Sequence, residues 1–167
     1  LLGNARADLG DMAEARAVLE ESLSIARAAE DLEAVAAALN SLANVESSER
    51  DDQAALRRFE EALPLVRRTG NRFAQSIFLI NSCRAHVLIG DASAGVPLAS
   101  EALQLADQME NAWLRAQALT SLGWANAFQG DLELAQRRLR EALSLHVAMG
   151  NEPFMLDVFV GLARVAA

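Results

Sequence analysis

The sequence predicts an all-α solenoid of antiparallel helix pairs, about four repeats followed by a terminal helix. Three observations carry this. The first is a period of forty residues: Glu21, Glu61, Glu101 and Glu141 share one column, and Leu23, Leu63, Leu103 and Leu143 share the next but one. Further columns at the same spacing are Leu39, Leu79, Leu119 and Phe159, and Ala15, Ala55, Gly95 and Ala135. The second is the apolar stripe inside each unit. Leu132, Ala135, Leu139, Ala142 and Leu143 fall on one helical face, with Glu133, Gln136, Arg137, Arg140 and Glu141 opposite. The third is a break every twenty residues, where the helical pattern stops and restarts.

The breaks explain the elements in order. One kind reads Gly10-Asp11, Arg50-Asp51, Gly90-Asp91 and Gly130-Asp131. The other reads Glu30-Asp31, Gly70-Asn71, Glu110-Asn111 and Gly150-Asn151. Gly tolerates the left-handed conformation that ends a helix. Asp or Asn then accepts from the free amides of the next helix and suits its positive end. Helices are therefore expected at 1–9 (a remnant), 12–29, 32–48, 52–69, 72–89, 92–109, 112–129, 132–149 and 152–166. Each full helix is about 17–19 residues, roughly 27 Å at 1.5 Å per residue. Connections this short make neighbouring helices antiparallel. Tandem hairpins cannot bury both faces alone, so they stack into one continuous core. The repeat units are 1–30 (partial), 31–70, 71–110, 111–150 and 151–167 (partial), forming a single domain over 1–167. The third unit reads as the weakest. Ser82, Cys83, Gly95 and Ala99 stand where larger or better helix-forming residues stand elsewhere, and Pro97 adds a lost amide. An irregular first turn near 92–97 is expected.

These residues resemble a tetratricopeptide repeat. Leu119, Leu122 and Gly123 match the first helix of that family's unit, Gly130-Asp131 its turn, and Ala135, Leu139 and Ala142 its second helix. Leu39, Leu42, Ala43, Asp51, Ala55, Phe59 and Ala62 fit as well. The resemblance covers essentially the whole chain and implies a right-handed superhelix with the first helices lining a concave face. The unit is forty residues rather than the family's usual thirty-four. That longer form is similar to repeats in large ATP-dependent bacterial transcription regulators and related signalling ATPases.

Composition narrows the function. Of 167 residues, 34 are Ala and 26 are Leu, too apolar for a disordered segment. The formal charge is −8, all cations are Arg, and there is no Lys. Such acidity disfavours direct nucleic-acid binding, because phosphate contacts need positive potential. No apolar run of eighteen residues suggests a membrane span. One Cys rules out an internal disulfide and fits a cytoplasmic setting. The chain does not begin with Met, and is expected to be a piece of a longer protein. No cofactor is expected. Cys83 and His86 lie three apart on one helix, but two ligands are too few for structural zinc, and nothing supplies the third group a nucleophile needs. His146 occupies the column of Ala26, Val66 and Ala106, so it reads as a structural histidine. The recurring Glu column reads as a solvated face. The chain is expected not to be an enzyme.

Candidate binding residues come from columns that do not repeat. Packing recurs, so structural columns repeat, whereas a ligand need not. The column that the resemblance implies faces inward reads Asn4, Asn44, Arg84, Trp124 and Arg164. One turn earlier stand Asn40, Ile80, Thr120 and Val160, with Asn81 and Ser121 beside them, and Phe128 lies one turn after Trp124. An Asn amide can donate to and accept from one peptide unit. Arg84 and Arg164 can grip a carboxylate, and Trp124 and Phe128 can seat an apolar anchor. The expected partner is therefore a protein or peptide segment held in an extended form. The alternative is a ligand-sensing or domain-docking segment of a larger bacterial transcription or signalling regulator. Leu1 and Leu2 at one end, and Phe159, Val160, Leu162 and Val165 at the other, suggest uncapped ends able to self-associate.

Overall fold

The computed structural model describes residues 12–166. It contains eight helices among them: α1 (Met12–Ala28), α2 (Leu32–Ser48), α3 (Asp52–Thr69), α4 (Arg72–Leu88), α5 (Ala92–Gln108), α6 (Ala112–Gln129), α7 (Leu132–Met149) and α8 (Glu152–Ala166). All eight expected full-length helices are present, three of them ending one residue early. The remnant over 1–9, with Leu1, Leu2 and Asn4, lies outside the described residues.

Five of the breaks work by the expected chemistry. The side chains of Asp31, Asp51, Asp91, Asn111 and Asp131 each accept from the backbone amide three residues on, at 3.0–3.2 Å. The residue before each cap takes a positive φ, whether it is a glycine or Glu30, Arg50 or Glu110. Ser93 also donates to the Asp91 carboxylate at 2.7 Å, and with the Ala94 amide this holds the Asp91 pKa below its ordinary value.

The helices form two compact units, Leu1–Asn71 and Arg72–Ala167. In the first, α1 buries Ala15, Leu19, Leu23 and Ala26, and α3 buries Ala55, Phe59, Ala62 and Val66. The spacing is four, four and three residues in α1 and four, three and four in α3, a helical stripe in each. A polar link ties the three helices together. The buried Glu46 of α2 accepts on Oε1 from Arg16 Nη1 of α1 at 3.2 Å and from Arg58 Nε of α3 at 3.1 Å.

In the second unit, α6 is buried almost all round, through Leu114, Ala116, Ala118, Leu119, Thr120, Leu122, Gly123 and Ala125. Such a helix is an interior one. On one side Leu122 and Ala125 meet Cys83, Val87, Ala92 and Ala99 of α4 and α5. On the other, Leu119 meets Leu139 and Ala142 of α7 and Val158 of α8.

The expected irregular turn at 92–97 is not there. Helix α5 is regular from Ala92, and Gly95 has a packing reason. A Cβ on it would lie 3.1 Å from the Cys83 carbonyl oxygen and 3.2 Å from its sulfur. Close approach of α5 to α4 outweighs the poor helix propensity of Gly.

Candidate functional site

The first helices of the second unit are α4, α6 and α8. Forty-residue spacing carries Arg84, Trp124 and Arg164 onto corresponding positions of the three. A helical step of four residues then sets Phe128 one turn beyond Trp124. The two rings lie 6.2 Å apart at 41°. The Arg164 guanidinium carbon sits 4.2 Å above the Phe128 ring centre, a cation–π contact. Arg84, Val87, Leu88, Ser121, Trp124, Phe128 and Asp157 line one cavity of about 170 Å³. Its walls are largely apolar, with a cationic Arg84 and an anionic Asp157 at the margin. Trp124 is half-buried and its indole Nε1 has no hydrogen-bond partner. The ring also packs beside Gly161, where a Cβ would meet Trp124 Cε2 at 3.3 Å. So Trp124 is both a cavity wall and a contact between α6 and α8. The arrangement suits an apolar group the size of one side chain, with a polar or charged group beside it.

The other expected residues are placed differently. Asn81 is half-buried on α4. In the first unit, Asn44 is exposed on α2 and Asn40 half-buried. Ile80 and Thr120, expected on the open face, are buried. Each lies about 40° round its helix from the residue four places on, and that rotation carries it into packing. The Thr120 hydroxyl is spent within its own helix, donating to the Ala116 carbonyl at 2.9 Å. Of the apolar residues at the end of the chain, Phe159 and Val160 are exposed. Leu162 and Val165 instead pack against the cluster around Leu139.

The remaining chemical candidates are structural. Burial pushes the Cys83 thiol up to about 12, so it is protonated at neutral pH. Cys83 and His86 do share a face, but that face is packed against Gly95. His146 is buried and stacked on Phe154, 5.7 Å away at 13°. Burial lowers its pKa, and neither ring nitrogen has a hydrogen-bond partner. The Glu column is tied to neighbouring helices: Glu61 pairs with Arg27, Glu141 with Arg115, and Glu101 accepts from Gln75 at 2.8 Å.

Sequence reasoning missed Val87, Leu88 and Asp157 in the cavity. It also missed an aromatic row along the first turns of α4, α6 and α8. Phe73 stacks on Trp113 with ring centres 6.1 Å apart, and Trp113 meets Phe154 edge-on at 6.0 Å. Its signal was available, since Phe73 and Trp113 stand forty residues apart.

Residues 1–68 match the family model for the tetratricopeptide repeat. That stretch carries the tetratricopeptide-repeat pattern. Solved structures agree over nearly the full length of the chain. A signal transduction ATPase with numerous domains, carrying a tetratricopeptide-repeat sensor, from Pyrococcus horikoshii superposes with a TM-score of 0.84 at 17% identity. The match covers 96% of this chain and 25% of that one, so the repeats here span a quarter of that protein's length. BtubC from P. vanneervenii gives 0.81 at 18% identity, covering 98% and 68% of the two chains. A kinesin light chain protein of nearly identical TPR-like repeats from Podosopora anserina gives 0.77 at 18%, covering 98% and 81%. At these identities the likeness is one of fold: an all-α solenoid of repeated helix pairs. No curated protein is similar enough in sequence to count as a relative. Among the described residues, no helix is long and apolar enough to cross a membrane.

Proposed function

We propose that this chain is a non-catalytic scaffold that binds an extended segment of a partner protein on the exposed face of its first helices. The observation that carries this is the convergence of Arg84, Trp124 and Phe128 on one side-chain-sized cavity, with Arg164 over Phe128. An apolar side chain of the segment enters the cavity that Trp124 and Phe128 line, and an acidic group beside it meets Arg84. Asn81 lies on α4 near enough to Arg84 along the helix to hold the segment's backbone. The setting is the cytoplasm, which suits an unpaired, protonated thiol at Cys83.

The test is recovery of a partner from the source cell. Arg84→Ala removes an exposed group, so thermal unfolding should barely move, and Phe128→Ala should lower it only slightly through its lost contacts with Trp124 and Arg164. Each should weaken the partner by about 1 kcal/mol or more, roughly fivefold. Partner recovery equal to the parent chain's in both variants would end the reading. Trp124→Ala is a poorer probe, because its contact with Gly161 makes it destabilising as well.

A second reading rests on the size of the same cavity. A volume of about 170 Å³ also suits a small ligand. The chain would then be the ligand-sensing or domain-docking part of a larger bacterial transcription or signalling regulator. The tetratricopeptide-repeat sensor of the Pyrococcus horikoshii ATPase, alike in fold, supports that reading.

A further inference from the structure

The cavity lined by α4, α6 and α8 carries one charge that the scaffold role leaves unused. Its lining is apolar at Val87, Leu88, Trp124 and Phe128, and Arg84 of α4 supplies a cation. Asp157 of α8 supplies an anion. Helix α6 packs against both α4 and α8. Neighbouring helix axes lie about 8–10 Å apart, which sets α4 and α8 roughly 16–20 Å apart on either side of α6. Arg84 and Asp157 are both exposed, and among the described residues neither is in an ion pair.

Two groups on or beside α8 are candidates to neutralise Asp157, and both are otherwise engaged. Arg164 stands seven residues further along the helix, about 10 Å, and lies over the Phe128 ring. His146 feels the Asp157 charge, but burial lowers its pKa and leaves it neutral at neutral pH.

An apolar cavity with unlike charges on opposite sides is complementary to one kind of extended segment. Side chains two places apart in an extended chain share a face, about 6.6 Å apart. Residues two places before and two places after an apolar anchor are then about 13 Å apart, a span that the inward reach of Arg84 and Asp157 closes. Net charge points the same way. At −8 the chain repels a segment acidic on both sides of its anchor and draws in one that also carries a cation.

We propose that Asp157 is a specificity residue of this cavity, pairing with a basic side chain of the bound segment. The site then selects an apolar residue flanked by an acidic residue on the α4 side and a basic one on the α8 side. The proposal rests on the reading that the cavity holds an extended segment, and it adds the half of the recognition that Arg84 cannot supply.

The test is selection from a phage-displayed library of random short peptides, run in parallel on the 167-residue chain and on Asp157→Asn, Asp157→Arg and Phe128→Ala. Both Asp157 variants change an exposed group and should keep the parent's circular dichroism. The parent should enrich peptides with an apolar residue between unlike charges. Asp157→Asn should keep the acidic flank and lose the preference for the basic one, and Asp157→Arg should exchange the basic flank for a second acidic one. A synthetic peptide from the parent's selection should bind Asp157→Asn about two- to fivefold more weakly at low salt, the scale of one exposed ion pair. That gap should close as salt rises. Phe128→Ala should not enrich these peptides. The same flanks for the parent and both Asp157 variants, with enrichment still lost in Phe128→Ala, overturn the role of Asp157 and leave the segment reading standing. No enrichment by the parent, or enrichment that Phe128→Ala leaves unchanged, overturns the segment reading and this proposal with it.

Discussion

The helix pairs α4–α5 and α6–α7 are built on one pattern but fill it with opposite choices of side-chain size. In α4–α5 the first helix offers Cys83, and the second answers with Gly95 and Ala99, all buried. In α6–α7, forty residues on, the first helix offers Gly123, and the second answers with Ala135 and Leu139. Bulk has moved from one helix to the other across the same contact. Leu139 in turn lies between two glycines, since a Cβ on Gly161 of α8 would also approach it, at 3.1 Å. The polar positions differ too. Asn126 of α6 is buried and accepts from Arg138 of α7, whereas the matching residues of α4 and α5 are His86 and Leu98.

The strongest way to break this comparison is at Leu139. Leu139→Ala should cost about 2–5 kcal/mol by lost burial and the cavity left behind. Gly123→Ala alone should cost about 1–3 kcal/mol, because its Cβ would press into Leu139. Combined, the two should cost clearly less than the sum, since the new methyl occupies room the leucine vacated. Urea unfolding of the three variants measures this coupling. Simple additivity would show that the two residues do not share one volume.

The same contact shows what was legible in the sequence. Helix boundaries were readable because Asp31, Asp51, Asp91, Asn111 and Asp131 cap them and the apolar stripes keep a 3.6-residue period. Gly95 and Pro97 were misread as a weak turn because propensity is local, while the reason for Gly95 is Cys83 on another helix. Arg84, Trp124 and Phe128 were legible as a group because they break otherwise repeating columns. Ile80 and Thr120 were not separable from them, since a column fixes a position along the helix but not the 40° that turns a side chain into the core. Asp157 stands in a column that also fails to repeat, with Ala37, Ile77 and Gln117, but that column lies off the inward one, and only the fold brings it to the cavity.

A second difference between the pairs is electrical. His146 of α7 stands where α5 has Ala106, and both are buried. Burial lowers the folded pKa of His146 below the ordinary 6.5, with the Asp157 charge opposing in part. As pH falls through 6.5 the unfolded chain binds a proton that the folded chain refuses, so stability drops until the folded pKa is passed. Above 6.5 this contribution is complete and flat. The urea midpoint should therefore fall between about pH 7 and about pH 5. In His146→Ala that slope should shrink, although the variant loses the Phe154 stack and is less stable at neutral pH. An equal slope in both proteins would assign the acid sensitivity to other groups.

The smallest difference lies in the turns that open α6 and α7. Gly130, before α7, takes φ 84°, and Glu110, before α6, takes φ 51°. Both are left-handed, but only the glutamate carries a Cβ into the clash with its own carbonyl, at about 1–2 kcal/mol. Replacing it with glycine removes that strain and gives the unfolded chain more freedom, which takes back about 0.5–1 kcal/mol. The net expectation for Glu110→Gly is a gain of about 0.5 kcal/mol, raising the melting temperature by roughly 1–2 °C in a chain of this length. Gly130→Glu should move it the other way. A lower melting temperature for Glu110→Gly would mean that the glutamate side chain contributes more at this turn than its backbone strain removes.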